Sequence, residues 1–120
     1  MEREFTLDEA NALLPELITR VSRLQSAHEA LLRASAAGDT HAGNGTGSGA
    51  AAQAAAQQEF EAALAAVTDL DVVVRDAGTG IIDFPAQRAG EAVYLCWQPG
   101  EDSVGHWHDR AGGFAGRQPL

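Results

Sequence analysis

Residues 7–36 read LDEANALLPELITRVSRLQSAHEALLRASA, and the spacing of their apolar side chains decides the fold. Leu7, Ala10, Leu14, Leu17, Val21, Leu24, His28 and Leu31 recur at alternating steps of three and four, which places them along one face of a helix. Just ahead of that face, Thr6 and Glu9 have the spacing of a capping box, in which the Thr6 hydroxyl accepts from the Glu9 amide and the Glu9 carboxylate reaches back. A helix is therefore expected over 7–36. Leu13, Ile18 and Leu32 widen the apolar face beyond a thin two-stranded seam, so the helix needs a hairpin or bundle to pack against. Pro15 lacks an amide and crowds the carbonyl four residues earlier, so a kink is expected there and not a stop.

The partner helix lies next in the chain. Residues 38–49, GDTHAGNGTGSG, hold glycine and small polar residues with nothing to bury, and they read as a flexible connector in which His41 is a solvated side chain. Residues 50–68 are rich in alanine, the strongest helix former, with Phe60, Leu64 and Val67 beside Ala56 and Ala63 on one face. The connector returns the chain, so the second helix should pack antiparallel on the first.

Beyond residue 71 the apolar period changes from helical to alternating. Val72–Val74 and Ile81–Phe84 read as two short strands, with Pro85 ending the second. Ala92–Gln98 reads as a third strand, with Val93, Leu95 and Trp97 facing one way and Tyr94 and Cys96 the other. A turn at Pro99–Asp102 leads to a fourth strand over Ser103–His108, and AGGFAG reads as loop. The expected architecture is one α+β domain over residues 1–120: an antiparallel hairpin of long helices, then a small antiparallel sheet with a docked tail within 71–120. Phe114 would anchor the tail as an apolar group, and Arg117 would pair with Asp83 or Glu101.

Composition narrows the classes of partner. The formal charge of the 120 residues is −9, and all eight basic residues other than His are Arg, with no basic run among them. Phosphate backbones and anionic lipid headgroups are repelled by such a surface, so neither nucleic acid nor membrane is expected as a partner. A single Cys cannot close an internal disulfide, and the acidic start MEREFTLDEA is unlike a signal peptide, so a cytoplasmic address is expected. The apolar face of the first helix is long for a sheet this small. A homodimer pairing two hairpins in a four-helix arrangement is the expected assembly.

The blocks DFP, YLCW, GE, WHD and GFAGRQPL, following a TLDEANALLP start, together resemble the uncharacterised prokaryotic family recorded as domain of unknown function 2203. The resemblance spans both ends of the chain and omits only the glycine connector and the alanine-rich start of the second helix. It implies no activity or ligand, so no catalytic role passes to any residue.

The chemistry-bearing residues cluster between Ile81 and Arg117, which holds both Trp, the only Tyr and the only Cys. His106 and His108, two apart on a strand, emerge on one face, a spacing able to clasp a divalent metal such as zinc. Two ligands are too few; Asp109, Glu101, Asp83 and Cys96 are the candidates to complete the set. The bland alternative is a backbone hydrogen bond for one imidazole and solvent for the other. Cys96 reads as a nucleophile if an imidazole lowers its pKa, or as a small buried hydrophobe. Arg88 and Arg117 suit a carboxylate or phosphate, or simply ion pairs within the fold. His28 faces the helix seam and sets register or finds a hydrogen bond there. The functional expectation is an interaction or small-ligand-binding module, with Asp83, Arg88, Cys96, Glu101 and Arg117 as ligand contacts. A metal-dependent enzyme using His106, His108 and Asp109 is the alternative.

Overall fold

The computed structural model describes residues 3–40 and 48–120. Helix α1 runs over Leu7–Thr40 and helix α2 over Ser48–Thr68, and they are followed by strands β1 (Val73–Asp76), β2 (Ile81–Arg88), β3 (Glu91–Trp97), β4 (His106–Asp109) and β5 (Gln118–Pro119). The two long helices form a hairpin, and the strands form one antiparallel sheet in the order β1-β2-β3-β4-β5. The expected α+β fold is present. Both helices are longer than the sequence indicated, because residues 37–40 continue α1 and residues 48–49 already belong to α2. The centre of the expected connector, with His41, lies outside the described residues.

Helix α1 begins where the capping box places it. The Glu9 amide donates to Thr6 Oγ1 at 3.1 Å and the Thr6 amide donates to Glu9 Oε1 at 2.8 Å. The helix passes through Pro15 without ending, and a kink there is not shown. The antiparallel sense of the hairpin is fixed by contacts that step in opposite directions along the two helices. Arg20 donates to the carbonyl of Ala66 at 2.6 Å, Arg23 pairs with both oxygens of Glu59 at 2.8 Å, and Gln53 donates to Ser35 at 3.4 Å.

The apolar face of α1 packs as its period requires, but only along part of its length. Ala10, Leu14, Leu17, Val21, Leu24 and Ala27 are buried and join Ala63, Val67, Ile82, Phe84, Val93, Leu95 and Trp97 in one core. Leu7, expected in the seam, is 40% exposed, and Phe5 fills the core in its place. The Phe5 ring meets Phe84 edge-on at 5.3 Å. Past Ala27 the seam is only half-buried: His28 stacks against Phe60 at 5.9 Å, and Leu32 is 57% exposed. A helix of this length reaches about 50 Å, and the molecule measures 59 × 29 × 25 Å. The helical pair therefore projects beyond the sheet.

All four expected strands differ in their bounds from the sequence reading, β1 and β3 by only one or two residues, and the larger departures have long-range reasons. Strand β2 continues through Pro85 to Arg88 instead of ending at Phe84. Strand β1 stops pairing at Asp83, so beyond that point the β1 side of β2 is an edge where a missing amide costs no ladder bond. The Pro85 carbonyl faces that edge and accepts from the Phe5 amide at 2.7 Å. Strand β4 is confined to His106–Asp109, because the Val104 amide ahead of it is taken by Asn11 Oδ1 of α1 at 2.7 Å. The tail adds β5, which pairs His106 with Pro119 and Trp107 with Gln118.

Candidate functional site

The register of the sheet sorts its side chains into two faces. Ile82, Phe84, Ala86, Val93, Leu95, Trp97 and Trp107 share the face turned to the core. Asp83, Cys96 and His106 lie in line across β2, β3 and β4 on the opposite face, with Tyr94 and His108 one step along. That second face carries the chemistry.

Asp83 is its centre. The residue is 1% exposed, and its Oδ2 accepts from Arg75 Nε at 2.7 Å and meets His108 Nε2 at 2.9 Å, while its Oδ1 is buried without a hydrogen bond. Arg75 reaches it because β1 carries an irregularity between Val74 and Asp76, so that Arg75 is the extra residue whose side chain is re-aimed. His108 is 2% exposed, and its Nδ1 lies 2.7 Å from the backbone carbonyl of Asp109. A carbonyl only accepts, so Nδ1 carries a proton and donates. The Nε2 to Oδ2 contact then requires one further proton, held by the imidazole or by Asp83.

Cys96 is fully buried on the adjoining position. Burial pushes its thiol up to about 11; the charge of Asp83 adds to the shift, and Arg117, donating from Nη1 at 3.9 Å, opposes it. The sulfur is a protonated thiol at neutral pH. Asp83, Cys96 and His108 each present a ligand atom, and those atoms lie within 4.8 Å of one another.

A second cluster flanks the first. Arg117 donates to both oxygens of Glu101, at 3.2 and 2.6 Å, and His106 Nδ1 lies 3.4 Å from Glu101 Oε2 without forming a hydrogen bond. Glu101 also accepts from the Gln98 amide at 2.9 Å, and its carbonyl accepts from Trp97 Nε1 at 2.9 Å. Burial works against the Glu101 charge, and the hydrogen bonds from Arg117 and Gln98 outweigh it, so the carboxyl titrates below its ordinary value. Of the two carboxylates proposed for Arg117, the structure places Glu101 beside it. The tail is held by this pair and by the Leu120 amide donating to the Gly105 carbonyl at 2.9 Å. Phe114 does not anchor it from within the core: the ring is 36% exposed and is covered by the Arg117 guanidinium at 4.7 Å.

Two candidates lie apart from these clusters. Arg88 is on the core-facing side of β2 at its exposed end, where its guanidinium covers Trp107 at 4.5 Å. Asp109 uses its carboxylate to accept from the amides of Ala111 and Gly112, which closes the turn after β4. His106 and His108 share a face as their spacing requires, yet each ring faces a different carboxylate. Two residues that the sequence did not nominate as ligand contacts take part. Arg75 had no signal, since a bulge is a property of pairing. Tyr94, read as facing away from Val93, Leu95 and Trp97, has the guanidinium groups of Arg75 at 4.6 Å and Arg110 at 4.0 Å from its ring.

The model of a family described as "Uncharacterized conserved protein (DUF2203)" matches residues 3–120. No curated protein and no solved structure matches the chain. Among the described residues, no helix is long and apolar enough to cross a membrane.

Proposed function

The chain belongs to the DUF2203 family, whose description states no activity, and we propose from its own residues that it is a small-ligand-binding module using the polar face of the sheet. The observation that carries this reading is Asp83 Oδ1, buried and without a hydrogen bond beside a buried imidazole and thiol. An unsatisfied buried oxygen costs about 1–3 kcal/mol, and a ligand that engages it recovers that cost. The test is to titrate the protein with divalent cobalt, inorganic phosphate and citrate while following tryptophan fluorescence and melting temperature. A saturable response to one of them, weakened in Asp83→Asn, supports the module. Silence with all three would make the cluster a structural network.

The module is proposed to act as a homodimer in a reducing, cytoplasmic setting. Ile18 and Leu32 are exposed on α1, the helical pair projects past the sheet, and Cys96 is kept as a thiol. A charge of −9 argues against nucleic acid as the partner. A metal-dependent enzyme built on His106 and His108 is the second reading, favoured by one observation, the buried His106 Nδ1 that has no hydrogen bond. Loss of bound metal in His106→Ala would support that arrangement, and retention would remove it.

A further inference from the structure

We propose that Asp83, Cys96 and His108 form the ligand set of a zinc-like divalent cation. The inference rests on the polar face being a binding site, and it names the ligand of that site.

A tetrahedral zinc site, with Zn–N near 2.0 Å and Zn–S near 2.3 Å, sets its ligand atoms roughly 3.3–3.7 Å apart. One ligand atom each from Asp83, Cys96 and His108 lies within 4.8 Å of the other two. Side-chain shifts of a few tenths of an ångström to about 1 Å close the set around an ion. Asp83 Oδ1 is the oxygen free to take it, since Oδ2 is already occupied by Arg75.

Charge bookkeeping points the same way. A divalent cation bound by a carboxylate and a thiolate is matched by two negative ligand charges, so the buried site as a whole stays close to neutral once the ion is held.

The surroundings suit such ligands. The non-ligating Nδ1 of His108 donates to the Asp109 carbonyl at 2.7 Å, the outer hydrogen bond that orients metal-binding imidazoles. Arg75 donates to the carboxylate at 2.7 Å and Arg117 towards the sulfur at 3.9 Å, so each anionic ligand has a cationic donor behind it. A nitrogen, oxygen and sulfur set favours zinc or cobalt over calcium or magnesium. Three protein ligands leave a fourth position for water or a further ligand.

Cobalt titration of the metal-free protein near neutral pH tests this. The expected result is one ion per chain, a thiolate-to-cobalt charge-transfer band in the near ultraviolet, and release of protons in weak buffer. Cys96 is the only cysteine, so the band identifies it in the wild-type protein without any variant. Cys96→Ser should abolish the band, and His106→Ala should keep it. Cobalt binding without a thiolate band, or a band lost in His106→Ala with the helical signal intact, would overturn the ligand set. If cobalt and zinc fail to bind while phosphate or citrate saturates and Asp83→Asn weakens it, the metal inference falls and the binding module stands. If none of the four binds, both fall.

Discussion

Glu101 shows how much a single carboxylate organises here. It receives the Arg117 fork and the Gln98 amide, and its backbone carbonyl holds the Trp97 indole. Its folded pKa lies below the ordinary 4.5, so the folded state keeps the charge at pH values where the unfolded chain has taken up a proton. The stabilisation is full above that ordinary value and is lost as pH falls through the lower folded one. Glu101→Gln should lower the melting temperature at neutral pH, with the gap to wild type narrowing in acid. A pH-independent gap would show that packing and not charge is at stake. Gly80 makes a second prediction at this scale. Its φ is +78°, and an added Cβ would stand 2.7 Å from Pro99 Cγ and 2.9 Å from Val21 Cγ1. Gly80→Ala should cost at least the roughly 1–2 kcal/mol of a left-handed non-glycine residue, measured by denaturant unfolding.

The hairpin between β2 and β3 is an element with slack to remove. Its two turn residues, Ala89 at φ 53° and Gly90 at φ 82°, are both left-handed, the pattern of a type I′ turn that favours Asn-Gly. Alanine is a poor occupant of the first position, so Ala89→Asn should raise stability by about 0.5–1 kcal/mol. No gain in the unfolding midpoint would mean that the turn does not limit the stability of this hairpin. In α1 the same helical period has two outcomes. Leu24, fully buried, should cost about 2–5 kcal/mol when changed to Ala. Leu32, more than half exposed, should cost little in a monomer, and a large effect there would itself indicate a covered face.

For the whole molecule, the projecting helical pair is the feature that most needs a partner. Two helices joined largely through alanine and half-buried Phe60 and Leu31 are marginal without further burial. Sedimentation at micromolar concentration should give a dimer, and Leu32→Glu should shift it to monomer with helical content retained. A wild-type monomer would end the proposal. The tail acts at the same scale, because β5 closes the sheet and Arg117 secures Glu101. Truncation after Asp109 should lower the melting temperature and shift tryptophan emission to the red, as Trp97 loses the fixed Glu101 carbonyl. An unchanged curve and spectrum would show that the sheet closes without it.

By itself the sequence determined what neighbours along the chain determine. The 3–4 spacing from Ala10 to Leu24, the Thr6–Glu9 box and the alternation of Val93, Leu95 and Trp97 against Tyr94 and Cys96 all appear as read, because each is a local period or a bond three residues long. Only the tertiary structure decided which reactive groups meet. His106 and His108 share a face by spacing alone, yet their carboxylate partners, Glu101 and Asp83, follow from turn geometry and from a register that joins residues 25 positions apart. The bulge that aims Arg75 at Asp83, the passage of β2 through Pro85 and the strand made by the tail share that origin. Each depends on a neighbouring strand or segment whose position no local pattern encodes, since pairing register is settled only when both elements are packed on the same core.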